Sequence, residues 1–242
     1  MLSTVAGLAA EPGPAEAGHF HFEKKTAVDL PYLLQLPKAY QSDSARRWPL
    51  VVFLHGSGQR GDDLAGVTLF GPPKLAKEGR DFPFVILSPQ CARNQHWQND
   101  VLLGLIDRVV ASRNIDTNRI YLTGLSMGGY GTWYLGMKHP GRFAALSPVC
   151  GGGRVLDVVL ADDREAELKK MPVWAFHGAK DTLIPPSETE QMVGALRRIG
   201  NTSVKHTVYR GVGHESWLLA YDDPEFYEWL LAQTREGRFS TK

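Results

Sequence analysis

The sequence predicts an α/β fold with a mostly parallel central sheet of about eight strands and helices on both faces. Short apolar runs end in turn residues, as in "PLVVFLHG" (49–56) and "FPFVILSPQ" (82–90), a pattern typical of strands covered on both sides. Segments with helical periodicity, such as 100–114, lie between these runs. Because parallel neighbouring strands need a crossover connection, this alternation favours a parallel sheet, and right-handed crossovers place helices on both faces.

The individual elements follow in chain order. Two early strands are expected at 19–26 and 29–37, and Pro31 and Pro37 suit edge positions or strand ends. We expect these strands to form a hairpin at one edge of the sheet. The further strands expected are "NRIYLTG" (118–124), "GRFAALSPVC" (141–150), "MPVWAFHG" (171–178) and "VKHTVYRG" (204–211). The further helices expected begin near Ser126, around 164–170, at 186–200 and at 223–236.

Composition limits the classes of protein to consider. With 43% hydrophobic and 22% charged residues, the 242-residue chain can bury a core, and we expect one catalytic domain over 19–242. The net charge of +1, with scattered lysines and arginines, argues against nucleic acid and anionic lipid as partners. No apolar run approaches the roughly 20 residues that span a bilayer, so no membrane association is expected. The oligomeric state stays open.

Residues 1–18 are either the remnant of an export signal or a flexible leader, since they contain a short apolar stretch and small residues but no basic start. The first alternative is slightly favoured, and with it a secreted or periplasmic location over a cytoplasmic one. Cys91 and Cys150 match no zinc spacing, and two free thiols are favoured over one disulfide. The "HFH" at 19–21 fits one face of a strand better than a metal site. No metal or organic cofactor is expected for the chemistry considered below.

One motif suggests a nucleophile. The stretch "GLSMG" (124–128) has the pattern G-x-S-x-G, and it follows an apolar strand and precedes a helix-prone segment. At such a strand-to-helix turn the serine adopts a strained backbone conformation, and the flanking residues must lack side chains. Ser126 is therefore a candidate nucleophile. Taken alone, the motif also fits a tight turn that happens to contain a serine.

A nucleophilic serine needs a base, and the base needs a carboxylate to orient it. Asp181 follows the strand expected at 171–178, and His214 follows the last expected strand. Carboxyl ends of parallel strands meet at one edge of a sheet, where such sheets bind ligands. The chain order serine, aspartate, histidine is the one found with this elbow motif. His177 at the end of its strand is interpreted as a hydrogen-bonded structural residue.

Two backbone N–H groups should stabilise the oxyanion of the reaction intermediate. One comes from Met127, the residue after the nucleophile, and the other from the glycine-rich turn "HGSG" (55–58), where Ser57 is favoured and Gly58 is the alternative. Trp97 and Trp217 are candidate substrate-binding residues, and for both of them plain packing is an equally good interpretation.

The segments "VVFLHGSGQRGDD", "ILSPQC", "IYLTGLSMGGYGTW", "VWAFHGAKDTLIP" and "GVGHESW" occur in that order. Together they resemble the α/β-hydrolase superfamily, and within it the compact esterases grouped with feruloyl esterases, polyhydroxybutyrate depolymerase-like proteins and predicted peptidases. The resemblance implies an α/β-hydrolase fold and a serine carboxylesterase with Ser126, Asp181 and His214 as the triad. Only residues 151–170 separate two expected strands where many relatives carry a helical cap, so no substantial cap domain is expected.

The expected substrates are small-molecule or carbohydrate-linked esters: short-chain acyl, aryl, feruloyl or acetylated carbohydrate esters, cleaved through an acyl-enzyme on Ser126. A serine peptidase or an acyltransferase would use the same triad. A catalytically silent binding protein of the same fold is a third alternative, although its usual mark is a broken triad.

Overall fold

A computed structural model of the protein describes residues 27–41, 43 and 45–236, and its centre is a seven-stranded sheet. The order of the strands across the sheet is β1-β3-β2-β4-β5-β6-β7. The first strand pairs antiparallel with the third, and every other neighbouring pair is parallel. This confirms the predicted mostly parallel sheet. The strands are β1 (Tyr32–Gln35), β2 (Trp48–Leu54), β3 (Val85–Pro89), β4 (Ile115–Leu125), β5 (Ala145–Val149), β6 (Val173–Gly178) and β7 (Val204–Tyr209).

Eight α-helices accompany the sheet in the described part of the chain. They are α1 (Gly71–Lys77), α2 (Asn99–Ser112), α3 (Met127–Lys138), α4 (Leu156–Val159), α5 (Glu165–Lys169), α6 (Ser187–Arg198), α7 (Trp217–Ala220) and α8 (Pro224–Leu231). Short 3₁₀ turns lie at Lys38–Tyr40, Ser57–Gln59, Leu64–Thr68 and Pro140–Arg142. In none of these helices is the apolar stretch long enough to cross a bilayer.

Both faces of the sheet are buried, which explains the nearly continuous apolar runs of its strands. Along β2, Leu50 and Val52 contribute to one hydrophobic cluster, whereas Val51 and Phe53 contribute to the other. This alternation follows from the period of two in a strand. Residues of α2, α3 and α6 cover the first face, and residues of α7 and α8 cover the second. The predicted placement of helices on both faces is therefore confirmed.

The first strand forms one edge of the described sheet. β1 lies there, as its prolines suggested, and pairs with β3, far along the chain. The other expected hairpin strand, 19–26, lies outside the described residues, as do the "HFH" at 19–21 and the leader 1–18. Cys91 and Cys150 are free and buried.

Within the described residues, no large insertion covers the carboxyl ends of the strands. Between β5 and β6 the chain forms only α4, with four residues, and α5, with five residues. Because β2, β4, β6 and β7 run parallel, their carboxyl ends meet at this one open edge. The loops that follow these four strands carry the candidate site.

Candidate active site

Ser126 occupies a sharp turn between β4 and α3. Its backbone φ of 55° and ψ of −116° lie in a region that residues with side chains rarely adopt. A Cβ atom at Gly124 would lie 2.5 Å from the carbonyl oxygen of Gly128, and a Cβ atom at Gly128 would meet the carbonyl of Leu54. The two glycines are therefore required by close backbone approach on either side of the serine. The Ser126 N–H donates to the Val149 carbonyl at 3.0 Å, which ties the turn to β5.

The structure brings the three predicted triad residues into one hydrogen-bonded line. His214 Nε2 lies 2.9 Å from Ser126 Oγ, and His214 Nδ1 lies 2.7 Å from Asp181 Oδ2. The Asp181 side chain is fully buried, and that of His214 is 17% exposed. An imidazole held in this way has its Nδ1–H directed to the carboxylate, which leaves Nε2 free to accept the serine proton.

Asp181 is held in a rigid turn. Its Oδ1 accepts hydrogen bonds from the backbone N–H of Leu183 at 3.0 Å and of Ile184 at 2.9 Å. Burial by itself raises the pKa of Asp181, but the hydrogen bonds from His214, Ile184 and Leu183 together outweigh it and bring the pKa below its ordinary 3.8. The carboxylate is therefore ionised at neutral pH and can stabilise a positively charged His214.

The two predicted oxyanion donors lie on neighbouring loops. Met127 is the first residue of α3, a position whose N–H has no carbonyl partner within the helix. Ser57 begins the 3₁₀ turn after β2, and Leu54 at the end of β2 is paired with Gly124 of β4. A Cβ at Gly56 would lie 2.8 Å from the Leu125 side chain, so the two loops are in contact. Gly58, the alternative donor, is exposed in the same turn.

His55 supports this turn, and the sequence analysis did not identify it. Its Nε2 accepts the backbone N–H of Cys91 at 3.0 Å, so its hydrogen is on Nδ1, which donates to the Gly56 carbonyl at 2.6 Å. Burial is the main reason that the pKa of His55 falls from 6.5 to about 4. A neutral His55 therefore links the Ser57 turn to the loop after β3. In the sequence, only its position directly before Gly-Ser-Gly could have suggested that His55 supports this turn.

The two predicted substrate-binding tryptophans lie on different sides of the site. Trp97 is half-buried, donates from Nε1 to the His55 carbonyl at 3.3 Å and packs against Gly131 of α3. It borders an open cavity of about 580 Å³ that Tyr134 and Arg154 also line.

Trp217 is 7% exposed and packs edge-on against the His214 ring, with centroids 5.3 Å apart. It also contacts Phe70. This arrangement supports packing behind the histidine more than contact with a substrate. The earlier expectation that His177 is hydrogen-bonded is confirmed, since both of its ring nitrogens have partners.

The fold and the sequence resemble those of known esterases. A poly(3-hydroxyoctanoate) depolymerase from Pseudomonas fluorescens is 25% identical over 198 residues, covering 72% of this chain and 70% of that protein. A probable feruloyl esterase C from Aspergillus terreus is 25% identical over 160 residues, covering 64% of this chain and 56% of that protein. The crystal structure of a thermostable esterase is 35% identical with a TM-score of 0.72, covering 86% of this chain and 60% of that chain.

The phospholipase/carboxylesterase family matches residues 93–221, more than half of the chain. The match includes the elbow, Asp181 and His214. The solved esterase structure has the same α/β-hydrolase architecture that the sheet order and the elbow indicate. This protein therefore belongs to the phospholipase/carboxylesterase family, whose members are carboxylic ester hydrolases of the serine hydrolase type.

Proposed function

We propose that this protein hydrolyses carboxylic esters through an acyl-enzyme on Ser126. The observation that carries the proposal is the line Ser126 Oγ, His214 Nε2, His214 Nδ1 and Asp181 Oδ2, with distances of 2.9 Å and 2.7 Å. In the first step His214 takes the hydroxyl proton while Oγ bonds to the ester carbonyl carbon. The alcohol then leaves with that proton. Water then attacks the acyl-enzyme by the same two steps, with His214 again taking and returning a proton, and releases the acid and free Ser126.

The oxyanion formed in each step is held by the backbone N–H groups of Met127 and Ser57. Both belong to segments that the fold keeps rigid: the first turn of α3 and the 3₁₀ turn braced by His55. Donors fixed before the reaction stabilise the developing charge without having to reorganise. Ser57 is favoured over Gly58 because it is the first residue of its turn.

The substrate proposal is a small-molecule or carbohydrate-linked ester with a short acyl or an aryl group. Feruloyl and acetylated carbohydrate esters belong to this range, and a feruloyl esterase and a bifunctional acetylxylan esterase/xylanase are among the relatives. The small insertion between β5 and β6 leaves room for a bulky alcohol.

A panel of p-nitrophenyl esters of increasing acyl length, with feruloyl and acetylated-sugar esters, tests the activity and its specificity. Matched anilides and added alcohol acceptors distinguish an esterase from a peptidase or an acyltransferase. Ser126→Ala should lower kcat by about 10⁶-fold, because the triad acts as a unit. Ser112→Ala, at the end of α2, is the matched control and should keep the parent rate. Undiminished hydrolysis by Ser126→Ala would overturn the proposal.

A further inference from the structure

A second histidine lies against the triad carboxylate. We propose that His177 is a positioning residue for Asp181 and that it acts as an imidazolium, with a hydrogen on each ring nitrogen. The inference rests on the proposed function, since it assigns a supporting role within that site. His177 ends β6, four residues before Asp181, and the side chains of both are fully buried.

The partners of Nε2 show that this nitrogen is a donor. It lies 3.0 Å from the Ile184 carbonyl oxygen and 3.2 Å from Asp181 Oδ2. A carbonyl oxygen and an ionised carboxylate have no hydrogen to give, so the hydrogen must be on the ring. His177 Nε2 therefore donates to the Ile184 carbonyl, at the end of the turn that begins with Asp181, and the ring lies beside the carboxylate.

The partners of Nδ1 lead to the same conclusion for the other nitrogen. Nδ1 lies 2.7 Å from Thr189 Oγ1, and this hydroxyl lies 2.6 Å from the Gly151 carbonyl. The threonine has one hydrogen, and the carbonyl can only accept it. The proposal assigns that hydrogen to the carbonyl, the acceptor at 2.6 Å, so that Nδ1 donates to the hydroxyl oxygen. With both nitrogens donating, the ring carries a positive charge, and a fully buried charge of this kind needs the opposite charge that Asp181 supplies.

The Asp181 carboxylate accepts three hydrogen bonds. Oδ1 accepts from the N–H groups of Leu183 and Ile184, and Oδ2 accepts from His214 Nδ1 and lies 3.2 Å from His177 Nε2. Because His177 donates to the Ile184 carbonyl and the Ile184 N–H donates to Oδ1, His177 holds the turn that fixes the carboxylate. Since His214 is oriented by Oδ2, fixing the carboxylate also fixes the base.

The same contacts extend to α3, the helix that follows the nucleophile. A Cβ atom at Gly151 would lie 2.6 Å from the Gly129 carbonyl carbon and 2.7 Å from the Tyr130 nitrogen, so Gly151 is packed onto the first turn of α3. Thr189 in α6 joins Gly151 to His177. Hydrogen bonds thus link the acid turn to Gly151, and close packing links Gly151 to the first turn of α3.

Kinetics of three variants test the positioning role. His177→Leu removes both donors, and we expect kcat to fall by about 10–100-fold, as when a hydrogen-bond partner that orients a metal-bound histidine is removed. KM should not change, because His177 does not contact substrate. His177→Gln keeps a donor where Nε2 lies and should recover most of kcat, and Thr189→Val should fall between the two. His139→Gln, at the end of α3, is the matched control and should keep the parent kcat.

Nitrogen NMR on ¹⁵N-histidine-labelled parent protein tests the charge state without any activity. At neutral pH both ring nitrogens of His177 should carry hydrogens, with the signals assigned by their loss in His177→Gln. One unprotonated nitrogen would overturn the imidazolium. A folded His177→Leu with the parent kcat, or equal losses in the Leu and Gln variants, would overturn the positioning role. If His177→Leu does not fold, the Gln and Val variants and the NMR signals decide.

The two proposals fail separately. A parent protein without esterase activity contradicts the proposed function, and the NMR measurement still tests His177. An active parent and an inactive Ser126→Ala, together with unaffected His177 variants, contradict only the positioning role.

Discussion

Gly124→Ala adds one methyl group between two backbone segments of the site. The new Cβ would lie 2.5 Å from the Gly128 carbonyl oxygen and 2.7 Å from that of Leu54, whereas ordinary contact begins at 3.4 Å. The backbone must therefore move by about 0.9 Å, the difference between 3.4 and 2.5 Å, and it is confined by main chain on both sides. Over-packing of this kind costs about 3 kcal/mol of stability.

The displaced backbone lies next to Ser126, so kcat should fall as well as the stability. For a chain of this length, about 3 kcal/mol corresponds to a fall in Tm of about 6–12 °C. A shift of about 1 Å in a reacting group lowers kcat by about 10²-fold. Melting followed by circular dichroism and initial rates on a short p-nitrophenyl ester measure the two effects at a temperature where the variant is folded.

Gly194→Ala is the matched control for this variant. Gly194 is exposed within α6, and no atom lies within 4 Å of the Cβ that alanine would add there. Alanine should stabilise the helix by about 0.4–1 kcal/mol and leave kcat unchanged. A Gly124→Ala protein with the Tm and kcat of the parent would refute the reasoning that close backbone approach shapes the elbow.

Three further predictions concern the oxyanion donor Ser57, the triad acid Asp181 and the buried His55. Ser57→Pro deletes one backbone N–H at a turn start that proline tolerates, and kcat should fall by about 10²–10³-fold, whereas Ser57→Ala keeps the N–H and should keep the rate. Asp181→Asn should lower kcat by about 10⁴-fold with little change in KM, because the amide favours the wrong tautomer of His214. Between pH 6.5 and 4 the unfolded His55 binds a proton that the folded one does not, so the parent should lose about 3 kcal/mol of stability as pH falls through this window. In urea unfolding, the stability of His55→Gln should not fall in this way with pH. Parental kinetics in Ser57→Pro or Asp181→Asn, or the parent's loss of stability in His55→Gln, would contradict these assignments.

The local parts of the fold could be predicted from the sequence, and the long-range parts could not. The strands β3 and β5–β7 lie within the predicted segments, and β2 begins one residue before its segment, because their apolar runs are bounded by turn residues. α1 was missed because Pro72 and Pro73 suggest a turn, although proline is well tolerated in the first turn of a helix. The antiparallel pairing of β1 with β3 was also missed, since no local pattern identifies a partner so distant in the chain.

The candidate site shows the same division. Ser126, Asp181 and His214 could be proposed because each follows a strand and their order matches a known motif. His55 and His177 each precede a glycine at the end of a strand, which says nothing about what the rings contact. Their partners, Cys91 for one and Thr189 for the other, are brought to them only by tertiary packing. Hydrogen-bond roles of this kind need the folded structure.

Covalent trapping tests the central claim most directly. The protein is treated with a p-nitrophenyl alkylphosphonate, which reacts with an activated serine, and its peptides are mapped by mass spectrometry. We predict one phosphonyl group per chain, bound to Ser126, with loss of esterase activity in the same proportion. A phosphonyl group on another residue, or full esterase activity in fully modified protein, would contradict the account.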